Sequence, residues 1–212
     1  LLVNRYGKRF SNEKADYDSS WRSFHAKENW GDLKYKNIPA FQIFDHSVRK
    51  NGTLAGKNIN EPLPKWFSQS SSIEGLAKKL GINQQNLKDT VLGFNKNAVL
   101  GKDPDFHRGE THYDRMGLDD TSLALQPLKL APFYGAEVAP SHLGTCGGPR
   151  VNSLSEVLDV NGSSIKRLYA SGNCSGVGSP GTSYGGGGGT IGPALTFSYI
   201  AGNSLSSLKD SV

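Results

Sequence analysis

Leu168-Tyr169-Ala170-Ser171-Gly172-Asn173 leads into a glycine-rich stretch that closes with Tyr184-Gly185-Gly186-Gly187-Gly188-Gly189-Thr190-Ile191-Gly192-Pro193-Ala194-Leu195-Thr196-Phe197. Leu168 to Ala170 reads as a strand. A flexible linker has a similar composition. A linker seldom runs from a strand into a helix start, however, and here Ala194, Phe197, Ala201, Leu205 and Leu208 fall on one helical stripe. The spacing predicts a helix from about Pro193 to Leu208. Thr190 can cap it, and Pro193 suits the first turn, where its missing N–H is not needed. Glycine lets backbone approach a flat ligand closely, and a helix N-terminus offers free N–H groups and partial positive charge. The unit therefore reads as a cradle for a cofactor or anion that carries or develops negative charge. It is not a P-loop, because no Gly-Lys-Ser/Thr follows, and it lacks the dinucleotide fingerprint with its downstream acid. An isolated loop tyrosine is most often a packing residue. Among bare backbone, the Tyr184 hydroxyl could instead reach a bound carbonyl.

Outward from the cradle, Glu156 to Val160, the Asn161-Gly162 turn and Ile165 to Tyr169 predict a hairpin. Phe133 to Val138 reads as a further strand and Gly147-Gly148 as a turn. Earlier in the chain, strands are expected at Leu1 to Asn4 and Ala40 to Phe44, with a turn at Gly7 and a short helix at Trp21 to Lys27. Asn51-Gly52 is a turn signal. Ser71-Ser72-Ile73-Glu74 fits a capping box, followed by the stripe Ile73, Leu76, Ala77, Leu80 and a stop at Gly81. A second helix starts near Asn83 with Leu87, Val91, Phe94 and Ala98 on its core face. Gly101 to Pro127 is polar and reads as a long surface loop, a kind of segment that is often functional. His107 and His112 are five apart, the wrong spacing for two ligands on one helical face, so the loop reading is preferred to a metal site.

The chain has 212 residues, 36% of them hydrophobic, enough for a sizeable core. No apolar run is long enough to cross a bilayer. No signal-peptide pattern opens it, and the cytoplasm is the expected compartment. The formal charge of +5 comes from scattered lysines, which fits a solvated surface better than a nucleic-acid face. Cys146 and Cys174 form no CxxC pair, and two buried free thiols are expected.

The cradle residues resemble the C-terminal flavin segment of the fumarate reductase-like flavoproteins, and most of all the 3-ketosteroid Δ1-dehydrogenases. Further matches follow in order: Leu2-Val3-Asn4, Gly7, Arg9-Phe10, Asn12-Glu13, Ile43-Phe44-Asp45, Gly101 to Gly109, Tyr113-Asp114, Pro132-Phe133-Tyr134 and Gly144-Thr145-Cys146-Gly147-Gly148. The resemblance implies an α/β (α+β) fold. Residues 1–131 would form a catalytic, substrate-binding domain, and residues 132–212 the return segment of a Rossmann-like FAD-binding domain. It implies FAD as cofactor and a small hydrophobic ketone as substrate. A tyrosine hydroxyl and a glycine N–H would hold the ketone carbonyl, here Tyr184 and Gly188. A second tyrosine, here Tyr17, would take the proton as general base while flavin N5 takes the hydride. The N–H groups of Ala194 and Leu195 would face the flavin pyrimidine, with Gly172, Asn173, Gly192 and Pro193 bordering the cofactor.

Some positions depart from the family. Gly187 and Asp16 each stand where a proline is usual, the latter directly before Tyr17. Leu143 and Gly144 occupy the positions of the histidines of fumarate reductases, which argues against a dicarboxylate substrate. The family's N-terminal Rossmann half has no counterpart in this sequence, so a separate N-terminal FAD-binding chain or fragment is the expected partner. Two other readings stay open: another flavin-dependent enone or ketone reductase or dehydrogenase on the same fold, and a non-catalytic binding subunit that kept it.

Overall fold

A computed structural model describes residues 1–29, 31, 33–142, 144–145, 147–177 and 187–208. It has the expected α+β fold and divides into two compact units, Leu1–Pro140 and Ser141–Val212. The division falls after the expected Ala131/Pro132 boundary for a physical reason. Phe133–Val138, expected in the second part, is a central strand of the first unit's sheet.

The first unit holds β1 (Leu2–Asn4), α1 (Tyr17–Phe24), β2 (Ala40–Phe44), α2 (His46–Asn51), β3 (Ser68–Ser70), α3 (Ile73–Leu80), α4 (Gln84–Val99), α5 (His112–Arg115) and β4 (Phe133–Val138). The antiparallel sheet runs β1-β2-β4-β3, with Val3 opposite Phe41 and Phe44 opposite Tyr134. Phe41 and Ile43 of β2 join Val3, Leu76, Leu87, Val91 and Phe94 in one buried cluster with α3 and α4. Phe44, pointing oppositely by the period of a strand, stacks on Tyr134 at 5.4 Å between centroids. Gly135 has no side chain because a Cβ would stand 2.6 Å from Leu80 Cδ1. That contact lets α3 lie close on β4.

Local chemistry sets the helix ends. Asn83 caps α4 by accepting the Asn86 N–H at 2.9 Å, and Gly81 closes α3 at φ 69°. The cap of α3 is Ser72, accepting from Gly75 N–H, rather than the expected Ser71. Glu74, the other half of that expected box, pairs instead with Lys88 at 2.7 Å. The helix expected from Trp21 begins at Tyr17, because Asp16 accepts the Ser19 N–H and fixes the start there. Asn51-Gly52 marks the end of α2, whose cap Asp45 also accepts the N–H groups of Lys129 and Leu130. Gly101 to Pro127 is more than surface: it contains α5, a 3-10 turn at Thr121–Ala124 and the buried Asp103 and Asp114.

The second unit pairs β5 (Glu156–Leu158) with β6 (Ser164–Tyr169), then forms a 3-10 turn at Gly172–Cys174 and α6 (Ile191–Ser206). The expected hairpin turn is present: Asp159 accepts the N–H groups of Asn161 and Ser163, and Gly162 takes φ 85°. α6 starts a little before the expected Pro193, and the Thr190 side chain makes no cap bond. Cys174 is a free thiol and is exposed, not buried as expected, while Cys146 lies outside the described residues. Among the described residues no helix is long and apolar enough to cross a membrane.

Candidate functional site

Within the second unit the structure brings together several residues of the expected cradle. Gly172, at φ 68°, presents its Cα to Ala194: a Cβ there would lie 3.5 Å from the Ala194 Cβ. The 3-10 turn is thus laid against the first turns of α6 by two small residues. The irregular segment before the hairpin packs on the same turn. Thr145 Oγ1 donates to the Asn173 carbonyl at 3.0 Å, and Gly176 N–H donates to the Pro149 carbonyl at 2.9 Å. A Cβ on Gly148 would stand 2.1 Å from the Cys174 carbonyl oxygen, so only glycine fits. Gly188 is at φ 90°, a conformation suited to glycine. Its carbonyl accepts the Gly192 N–H at 2.9 Å, which ties the glycine run to the helix start.

Around Gly187, Gly188 and Gly192 no described atom lies within 4 Å of where a Cβ would stand. That leaves open, bare backbone at the N-terminal end of α6, the surface a flat ring needs. Ala194 N–H donates to the Thr190 carbonyl at 3.1 Å, so this amide closes the first helical turn. Tyr184, the expected carbonyl donor, lies outside the described residues, as does Leu143.

In the first unit, Tyr17 is the first residue of α1 and is 62% exposed. Asp16 takes the place of the family's proline and supplies the helix cap, accepting both the N–H and the hydroxyl of Ser19. One turn on, Trp21 is also partly exposed and packs on His25 at 4.0 Å between centroids.

The loop preceding Tyr17 is fixed by charges that the sequence did not reveal. Arg9 forks onto Asp103, with Nη1 to Oδ1 and Nη2 to Oδ2 both 2.8 Å, and onto Glu13 through Nε and Nη2. Its guanidinium also lies 4.9 Å from the centroids of Phe94 and Phe106. Glu13 further accepts from Arg108 Nη1 at 3.0 Å and from the Leu2 N–H. Burial opposes the Glu13 charge. The Arg9 hydrogen bonds and the Arg9 and Arg108 charges hold the carboxyl below its ordinary range. Burial likewise opposes the Asp103 charge, and Arg9 holds that carboxyl below its ordinary range. A second buried acid, Asp114, takes the Asn12 amide on both oxygens at 3.3 and 3.2 Å. Arg9, Asn12, Glu13, Asp103 and Asp114 all sit in motifs quoted above, but the ion pair spans 94 residues and the amide pair 102. No local pattern signals such pairings.

Small-residue packing under the start of α6, with open glycine backbone above it, is how a cofactor cradle is built. Residues 1–190 match the family described as FAD binding domain, and the chain belongs to that family. FAD is its cofactor, and the bare backbone at Gly187, Gly188 and Gly192 fits it. The resemblance to 3-ketosteroid Δ1-dehydrogenases read from the sequence is borne out. The chain is 38% identical over 213 residues to 3-oxosteroid 1-dehydrogenase of Mycolicibacterium smegmatis, covering 95% of the chain and 37% of that protein. It is 36% identical over 209 residues to 4-oxocyclohexanecarboxylate 2-dehydrogenase of Sinomonas cyclohexanicum, covering 97% and 36%. Among solved structures it resembles 3-ketosteroid Δ1-dehydrogenase from Sterolibacterium denitrificans in complex with 1,4-androstadiene-3,17-dione. The TM-score there is 0.83 and the identity 31%, over 99% of this chain and 39% of that one. The chain spans little more than a third of the length of these relatives.

Proposed function

We propose that this chain is the C-terminal, catalytic part of an FAD-dependent oxidoreductase that dehydrogenates a ketosteroid-like ring next to its carbonyl. The observation that carries the reading is the match to 3-oxosteroid 1-dehydrogenase along 95% of the chain. FAD, when bound, supplies the hydride acceptor. Tyr17 acts as general base for the proton on the carbon beside the carbonyl. The Tyr184 hydroxyl and Gly188 N–H hydrogen-bond the carbonyl oxygen and stabilise the negative charge it develops. Gly172, Asn173, Gly192, Pro193, Ala194 and Leu195 border the cofactor.

The reading includes a partner: an N-terminal FAD-binding part from outside Leu1–Val212. Two observations support it. The relatives are far longer than this chain. Ile191, Leu195 and Tyr199 also form an exposed apolar stripe on α6, and a helix that is apolar on more than one side is normally covered.

The likeness to 4-oxocyclohexanecarboxylate 2-dehydrogenase favours a second substrate class, a smaller cyclic ketone. Anaerobic mixing of the flavin-loaded assembled protein with a panel of both classes separates them. The expected result is bleaching of the flavin absorbance by a saturated-ring 3-oxosteroid, and at least a hundredfold slower bleaching in Tyr17→Phe and Tyr184→Phe, about 3 kcal/mol of transition-state stabilisation. Bleaching by 4-oxocyclohexanecarboxylate alone selects the second class. A bound flavin that neither class reduces leaves a binding subunit.

A further inference from the structure

We propose that Asp114, acting through Asn12, is a positioning residue for the base Tyr17. The proposal rests on the reading of Tyr17 given above. Asp114 is 1% exposed, and its two oxygens are committed: both face Asn12 Nδ2, and Oδ2 also accepts the Gly109 N–H at 2.8 Å. The carboxylate is itself held firmly. Thr111 Oγ1 accepts the Asp114 N–H at 3.1 Å, and Arg115 Nε donates to the Gly109 carbonyl at 2.6 Å.

From Asn12 the bonds run along the chain to the residues just before the base. Asn12 Oδ1 accepts the Lys14 N–H at 2.9 Å, and the Asn12 carbonyl accepts the Ala15 N–H at 3.1 Å. Asp16 then caps the helix that Tyr17 opens, its side chain accepting from Ser19 and its carbonyl accepting the Ser20 N–H at 3.0 Å. A polar side chain on an exposed loop would not need a buried carboxylate beneath it. Here a loop 102 residues further along the chain supplies one. The arrangement fixes the turn from Asn12 to Asp16, and so the point from which the Tyr17 side chain departs. Small displacements of a reacting group are costly: about 1 Å can lose on the order of a hundredfold in rate.

The donor and acceptor pattern supplies the test. In Asp114→Asn an amide oxygen at the Oδ2 position keeps the Gly109 N–H, but the new NH2 at the Oδ1 position then faces Asn12 Nδ2, donor against donor, where a carboxylate oxygen accepted at 3.3 Å. In the double variant Asn12→Asp with Asp114→Asn, the new amide donates to the new carboxylate. Its oxygen still accepts from Gly109, and position 12 still accepts from Lys14. The measurement is the rate constant of flavin reduction, per bound flavin, in the assembled flavin-loaded protein, with substrate affinity taken from the concentration dependence.

Asp114→Asn is expected to slow reduction about tenfold to a hundredfold, with substrate affinity and flavin spectrum unchanged, and the double variant to recover most of the rate. A rate per flavin equal to the native one in Asp114→Asn overturns the proposal, even if less protein folds. So does a double variant that is folded and flavin-loaded yet as slow as the single one. Tyr17→Phe runs beside them. If it reduces flavin at the native rate, the reading of Tyr17 as base has failed and positioning falls with it. If it is slow while Asp114→Asn is not, positioning alone has failed.

Discussion

The two units are held together by different means. Among the described residues, the first buries a cluster of fourteen apolar side chains, among them Val3, Ile43, Leu76 and Leu87 with no exposed surface. In the second, Val157 is the one apolar side chain buried among the described residues, and α6 has no buried residue at all. Hydroxyl groups hold that helix instead. Ser155 Oγ donates to the Phe197 carbonyl at 2.8 Å, Ser204 Oγ to the Leu154 carbonyl at 3.3 Å, and Ser171 and Ser198 share a bond of 2.7 Å. Hydrogen bonds of this kind contribute about 1 kcal/mol each, whereas a buried leucine contributes about 2 to 3 kcal/mol. The first unit therefore carries a core of its own. The second is arranged as a surface with fittings, and α6 contributes no buried apolar side chain to it.

The sharpest way to break this contrast is in the charge network of the first unit. Arg9→Met leaves Glu13 and Asp103 buried without their shared cation. Removing one partner of a buried ion cluster costs about 3–5 kcal/mol. Hydrogen exchange should show β1, β2 and α4 opening more readily, with β5 and β6 unchanged. Acid should act on the same groups. Glu13 and Asp103 have folded-state values below their ordinary 4.5 and 3.8, so their contribution is complete above those values. It is lost progressively as the pH falls below those values, fully only below the folded-state values, where both states bind the proton. A first unit as stable at pH 3 as at pH 6 would contradict the network.

The apolar side of the comparison gives a smaller effect. Leu87, fully buried, should cost about 2–5 kcal/mol when cut to alanine. Leu195, at 68% exposed, should cost the chain less than about 0.5 kcal/mol. Thermal melts of the chain alone check both. On the proposed assembly with an N-terminal part, the order should narrow if Leu195 is covered there. A Leu195→Ala variant as neutral in the assembly as in the chain alone would show that α6 stays uncovered.

The same difference decides what could be read from the sequence. Stripes with helical period, such as Leu87, Val91, Phe94 and Ala98, were legible because each residue meets the core through its own element. Local turn chemistry was legible for the same reason, at Gly81 and at Asn161-Gly162. The stripe on α6 was legible only in part: Ala194, Phe197 and Ala201 are half-buried, whereas Leu205 and Leu208 are exposed. An amphipathic pattern names a face and not its neighbour. The Arg9–Asp103 and Asn12–Asp114 pairs were out of reach, because a buried acid in a polar loop looks like any solvated one until its partner is placed. Phe133–Val138 shows the converse, since its alternation identified a strand but not the sheet it joins.

Gly188 offers the finest test, because there the cost to the fold and the cost to the ligand separate. At φ 90° an alanine is strained by about 1 kcal/mol. No described atom lies within 4 Å of the new methyl, so no packing penalty adds to that strain. The melting temperature of the chain alone should fall by only a few degrees. The methyl would nonetheless stand over the open backbone proposed above to meet the cofactor and substrate. Flavin retention on dilution, or the substrate concentration needed for half-maximal bleaching, should suffer by more than the strain explains. If Gly188→Ala changes only the melting temperature, the bare backbone serves the turn and not the ligand, and the cradle must be sought elsewhere along the glycine run.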